Sequence, residues 1–158
     1  MRIGLSLLTF LVVAVSLAAC GSNDKLSEDQ ANALKARAQA FEAKSGGIEK
    51  TINGCAALAQ AGQIDRFKSC LSDALKSFEA DIGSLGSYVD GLSSEVQGEC
   101  KTKLDAWVKA LNSTGNSFGK AADEAQAGDY EQIQGTLKGV NYDDLATAGN
   151  QAATACTS

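Results

Sequence analysis

Residues 64–89 read IDRFKSCLSDALKSFEADIGSLGSYV, and their apolar positions decide the fold. Ile64, Phe67, Leu71, Leu75, Phe78, Ile82, Leu85 and Val89 recur at alternating intervals of three and four, which places them on one stripe of a long α-helix. The run is far too long for a strand, and no proline interrupts it. Aspartate and glycine at Asp90-Gly91 then offer a stop signal.

The same periodicity extends in both directions. Upstream, Leu34, Phe41, Ile48 and Cys55 fall at sevens, with Ala31, Ala38, Ile52 and Ala59 interleaved. This stripe opens at Ser27, whose pairing with Gln30 three residues on is a capping-box pattern, and it closes at Ala61-Gly62. Downstream, Ser94 with Gln97 offers another capping box ahead of Cys100, Leu104, Trp107, Leu111, Phe118, Ala121 and Ala125, which end at Ala127-Gly128. A fourth stripe begins with Asp129 as N-cap and Gln132 at N3, and continues through Tyr130, Ile133, Leu137 and Val140. It slips phase near Asn141 before resuming as Leu145, Ala148, Ala152 and Cys156, so a kink or short break is expected there. Gly46-Gly47 is a second weak point, because each glycine costs about 1 kcal/mol relative to alanine inside a helix. Short connections at Gly62, Gly91 and Gly128 make successive helices antiparallel. The fold class is therefore all-α, an up-down-up-down four-helix bundle with long helices.

The chain has 158 residues, 44% of them hydrophobic and 21% charged, with 16 glycines, no proline and no histidine. That is one domain's worth of folded protein. Without histidine, imidazole bases, histidine-ligated metals and the Ser-His-Asp or Cys-His catalytic arrangements are excluded. No Ser-x-x-Lys pattern has a credible partner. The chain is not read as an enzyme, and no cofactor or metal is called for.

The first twenty residues concern location. Arg2 precedes an uncharged run from Ile3 to Ala19, which ends in small residues and is short for a membrane span. Its exit, Leu17-Ala18-Ala19-Cys20, resembles the lipobox of bacterial lipoprotein signal peptides. That resemblance covers about an eighth of the chain. It implies cleavage before Cys20, diacylglycerol on the Cys20 thiol, and a bilayer as the first partner. Residues 1–19 are then the signal, 20–26 a lipidated tether and 27–158 the bundle. The lipidated protein would lie outside the cytoplasm on the cell membrane, or on the outer membrane if the host has two, because Gly21 stands where an inner-membrane retention signal would have Asp.

Setting Cys20 aside leaves Cys55, Cys70, Cys100 and Cys156, an even number in an oxidising compartment. Helical rise selects the pairing. Cys55 and Cys70 stand seven and eight residues from Gly62, about 11 Å below that turn, whereas Cys100 and Cys156 each stand 28 residues from Gly128, about 42 Å below it. If both turns share one end of the bundle, crossed pairs would have to span about 30 Å, against the ~7 Å limit between disulfide Cα atoms. The expected bridges are Cys55–Cys70 and Cys100–Cys156.

A faint internal repeat accompanies this layout. Ala59-Gln60-Ala61-Gly62 recurs as Ala125-Gln126-Ala127-Gly128, and the same offset aligns Phe41 with Trp107.

The features left for function are few. Arg2 leaves with the signal, so 13 basic residues face 19 acidic ones, a net charge of −6 that disfavours a nucleic-acid partner. Asp123, Glu124, Asp129 and Glu131 form the densest acidic group, around the Gly128 turn. With Gly62 at the neighbouring turn they make a candidate partner-facing tip, which also reads as ordinary solvated helix-end charge. Trp107 falls on a core stripe, and Tyr88, Tyr130 and Tyr142 near helix ends suggest rim packing. Lys101-Thr102-Lys103 falls at the end nearest the membrane. The leading reading is a membrane-tethered interaction or structural module that meets another envelope protein. The alternative is a carrier of a lipid or other apolar ligand within the bundle.

Overall fold

The computed structural model describes residues 24–157. The expected signal segment, residues 1–19, and the lipidation candidate Cys20 lie outside the described residues. The described chain folds into α1 (Glu28–Gln60), α2 (Ile64–Glu95), α3 (Gly98–Ala127), α4 (Tyr130–Lys138) and α5 (Tyr142–Thr157). Helices α4 and α5 together form the fourth leg of an antiparallel up-down bundle.

Helix α1 starts as its sequence requires. Ser27 Oγ accepts the Gln30 N–H at 3.3 Å, while Gln30 Oε1 accepts the Ser27 N–H at 2.8 Å. The helix then runs unbroken through Gly46-Gly47. Leu26, assigned to the tether, belongs to the bundle instead: it is buried, and its N–H donates to the Cys156 carbonyl at 3.2 Å.

The second turn differs from expectation. Helix α2 passes through Gly91 and ends only at Glu95, so the connection to α3 is Val96-Gln97. The reason is visible in the stripe, which continues from Val89 to Leu92 and Val96, both buried. Burial of two more large apolar side chains, at about 1.5–3 kcal/mol each, outweighs one interior glycine. Ser94 is consequently inside α2, where its hydroxyl donates to the Gly91 carbonyl at 2.6 Å, and the Ser94–Gln97 capping box does not form.

The other turns are where they were expected. Gly62 and Gly128 adopt left-handed φ values of 73° and 87°, and Gly128 closes α3 by donating to the Glu124 carbonyl at 2.9 Å. Asp129 occupies the N-cap position of α4 without making a side-chain cap. The break near Asn141 is real: α4 ends at Lys138, and Asn141 Oδ1 starts α5 by accepting the Asp144 N–H at 3.0 Å.

The four legs are unequally buried. Helices α2 and α3 form a central hairpin, with α1 laid along α2 and the α4–α5 leg laid along α3, while α1 meets the fourth leg only locally at α5. Phe41, Phe78 and Phe118 form an aromatic column through α1, α2 and α3, with centroids 5.5 and 4.7 Å apart. On the other side Gly149 lets α5 approach the Trp107 indole so closely that a Cβ there would lie 3.2 Å from the ring. Trp107 is thus a core residue, 5% exposed.

Both disulfides pair as register arithmetic requires. Cys55–Cys70 joins α1 to α2 with Cα atoms 5.7 Å apart, and Cys100–Cys156 joins α3 to α5 at 4.6 Å. Each outer leg is therefore fastened to the central hairpin by one bridge, near the turns for α1 and at the opposite end for α5.

Candidate functional site

The Gly62 and Gly128 turns lie side by side. Phe67, one turn into α2, packs against Tyr130 at the start of α4, with ring centroids 5.3 Å apart. The Lys68 side chain lies against Gly128, where a Cβ would come within 2.9 Å of its Nζ. The tip of the bundle is thus one surface, to which both helical hairpins contribute. The opposite end carries the Val96-Gln97 turn, the first described residues Asp24–Leu26 and the end of α5 near Cys156. There Asp24 lies against Gly98, and Gln30 hydrogen-bonds Glu95.

The acidic group at the tip divides into two kinds of residue. Asp123, Asp129 and Glu131 are exposed, with Asp123 3.6 Å from Lys76 Nζ. Glu124 does not share that exposure: it is a buried strut and not a partner-facing tip residue. It is 8% exposed, its Oε1 accepts the Thr136 hydroxyl at 2.9 Å, and Lys120 Nζ stands 3.6 Å away. It lies on the face of α3 that α4 covers, so its carboxylate ties those two helices together. Its Oε2 is buried without a protein partner. With Lys68, Lys76 and Lys120 nearby, the tip is a mixed polar surface, less negative than its acidic residues alone suggest.

One tip residue escaped the sequence reading. Ile64 belongs to the α2 stripe by spacing, yet it is 47% exposed. It is the first residue of α2, two positions after Gly62, where the stripe reaches the outer edge of the bundle. The signal was positional: a stripe residue at a helix's outermost turn lies at the edge of the bundle, where cover is incomplete. Ile64 places an apolar side chain beside Gly62 on an otherwise polar tip.

The tyrosines pack as rim residues. Tyr88 lies under the Arg37 guanidinium, 4.2 Å from ring centroid to carbon, which is cation–π geometry. Tyr142 is half-buried with its hydroxyl unpartnered, and burial pushes that hydroxyl above the ordinary tyrosine pKa.

A polar cluster sits on the α2–α3 seam, toward the Val96-Gln97 turn. The Ser93 hydroxyl donates to Asp105, Lys101 Nζ donates to Ser93 Oγ at 3.2 Å, and Lys101 Nζ lies 3.3 Å from Asp105 Oδ2. The Ser93 hydrogen bond, with Lys101 adding to it, holds the Asp105 carboxyl below the usual carboxylate range against a smaller opposing effect of burial. A nucleophilic serine must pass its proton to a base. Here the serine proton is committed to an already ionised carboxylate, while Lys101 serves as a donor, so the cluster acts as a clasp across the turn. Lys103, the other cation of this run, donates to Gln151 Oε1 at 3.2 Å. Beside the clasp, Asp90, Lys109, Asn112 and Asn116 line a shallow open groove of about 520 Å³.

Among the described residues, no group of three His, Cys, Asp or Glu side chains is placed to hold a metal ion. None of the described helices is long and apolar enough to cross a membrane. No protein-family model, curated protein or solved structure matches this chain.

Proposed function

We propose that this chain is a membrane-tethered helical lipoprotein of the cell envelope, working outside the cytoplasm as an interaction module. On this reading, acylated Cys20 holds the Val96-Gln97 end at the bilayer, and the Gly62–Gly128 tip meets another envelope protein. The observation that carries it is the separation of the first described residues, a few positions after Cys20, from the tip. Asp24–Leu26 lies at one end of the bundle and both tip turns at the other, and the 32 residues of α2 span about 48 Å at 1.5 Å per residue. Two disulfides accord with an oxidising compartment. The tip carries both an exposed isoleucine and exposed carboxylates, and partner-binding surfaces generally combine apolar and polar contacts.

The test is photo-crosslinking in the producing cells. A crosslinking residue at Ile64 or Glu131 should capture one defined envelope protein, while one at Glu99 should not. Absence of any protein adduct from either tip position would defeat the proposal. The anchor has its own test, the mass of the native N-terminal peptide, which should carry diacylglycerol on Cys20, whereas Cys20→Ser should release the protein from membranes.

A further inference from the structure

The two disulfides have unequal cover. Cys100 and Cys156 are both wholly buried, but in the other bridge only Cys55 is, and Cys70 is partly open to solvent. The legs they hold are unequal as well. Helix α1 contributes only three buried residues in 33, namely Leu34, Ile48 and Cys55, against eleven each for α2 and α3. In the half of α1 nearest the tip, from Gly46 to Gln60, Cys55 is itself one of the two buried side chains. Gly47 and Gly54 lie in the same half, and a Cβ at either would meet nothing within 4 Å. The N-terminal end of α1 is better fixed, by its capping box, the Gln30–Glu95 hydrogen bond and Phe41 on Phe78.

We propose that Cys55–Cys70 is a thiol-sensitive latch, which a dithiol reductant opens ahead of Cys100–Cys156 to let the tip half of α1 leave α2 while the rest of the bundle stays folded. The reductant's thiolate attacks Cys70 Sγ, the sulfur of the partly exposed residue. The S–S bond breaks, and Cys55 departs as a thiolate that takes up a proton. The reductant's second thiol then displaces Cys70 from the mixed disulfide. Two electrons pass to the protein, and the reductant becomes its own disulfide. Cys100–Cys156 offers no such approach, because both of its residues are enclosed by the core. Opening the 15-residue ring removes a closure constraint equivalent to roughly a hundredfold in the local open-to-closed equilibrium. It also uncovers Ile48, Ile52 and the α2 surface beneath them, next to the tip. The inference concerns the fold alone and stands or falls independently of what the tip binds.

The experiment is a graded dithiothreitol titration of the full-length protein in detergent at neutral pH, quenched by alkylation. Cleavage is read by peptide mass mapping and mobility by hydrogen exchange. A range of reductant should exist in which Cys55 and Cys70 are alkylated and Cys100–Cys156 is intact. Across that range the amides of residues 47–60 should exchange at least tenfold faster, with residues 64–127 unchanged. Parallel or reversed cleavage of the two bridges would overturn the latch, as would continued protection of 47–60 after Cys55 and Cys70 are alkylated. The Cys55→Ser, Cys70→Ser double variant gives a second reading, since it should show the faster exchange without reductant.

Discussion

Phe67 of α2 and Tyr130 of α4 meet with ring centroids 5.3 Å apart and planes inclined at 39°. They are the direct contact between the first turn after Gly62 and the first turn after Gly128. Aromatic pairs of this kind contribute about 0.5–1.5 kcal/mol beyond the area they bury. A double-mutant cycle with Phe67→Ala and Tyr130→Ala, read by urea unfolding, should return a coupling in that range. A coupling near zero would mean that the two tips are held together by other contacts.

The disulfides differ in the length of chain they close, 15 residues for Cys55–Cys70 and 56 for Cys100–Cys156. Chain-entropy arithmetic assigns them about 3 and about 4 kcal/mol. Replacing Cys100 and Cys156 together by alanine should lower the unfolding midpoint more than replacing Cys55 and Cys70, by thermal melts under one buffer. The reverse order would show that packing around Cys55 dominates over ring length.

Two glycines should respond to alanine with opposite sign. Gly128 has φ 87° and the Lys68 side chain against it, so Gly128→Ala should destabilise by about 1–2 kcal/mol. Gly83 lies in the helical interior of α2 with open space where a Cβ would point, so Gly83→Ala should stabilise by about 0.5–1 kcal/mol. Denaturant midpoints read both, and equal signs would contradict the backbone assignment at Gly128.

The clasp at the α2–α3 turn makes a pH prediction. Asp105 has its folded pKa depressed, chiefly by the Ser93 hydroxyl. Its contribution is present above the unfolded value of about 3.9 and is lost as pH falls through the lower folded value. Ser93→Ala should move the Asp105 carboxyl titration upward toward that ordinary value, followed by NMR of the side-chain carbon. An unmoved titration would remove Ser93 as the cause.

Tyr142 acts at the other end of the pH scale. Its pKa is raised by burial, so the folded state is favoured below about pH 10 and loses that advantage as pH climbs through the raised value. Its hydroxyl is buried without a partner, so Tyr142→Phe removes an uncompensated polar group. The variant should be as stable as the parent at pH 7, and it should lose less stability between pH 9 and 12. A loss above about 1 kcal/mol at pH 7 would reveal a hydrogen bond at that hydroxyl.

Much of the architecture was legible because helices turn residue number into distance. The heptad spacing of Leu34, Phe41, Ile48 and Cys55, and the three-four alternation through α2, report the side of each helix that seeks cover. A fixed 1.5 Å rise places Cys55 level with Cys70 and Cys100 level with Cys156 once the turns are known, and the structure joins those pairs. The α2–α3 turn was misplaced at Gly91 even though Leu92 and Val96 continue the stripe from Val89. A glycine marks where a helix can stop, and apolar burial decides whether it does.

What one strand of sequence determines here is local: periodicity, capping at Ser27, left-handed turns at Gly62 and Gly128, and the heights of the cysteines. Whether a residue is covered depends on which neighbour reaches it, and that belongs to the assembled bundle. Glu124 is buried because α4 brings Thr136 over it, and Ile64, the outermost residue of α2, is left exposed although it belongs to the apolar stripe. Helix α1 is lightly held because the fourth leg packs along α3 and touches α1 only through α5. Spacing along a chain sets which face a residue occupies, while the free energy of that face is set by contacts between segments far apart in sequence.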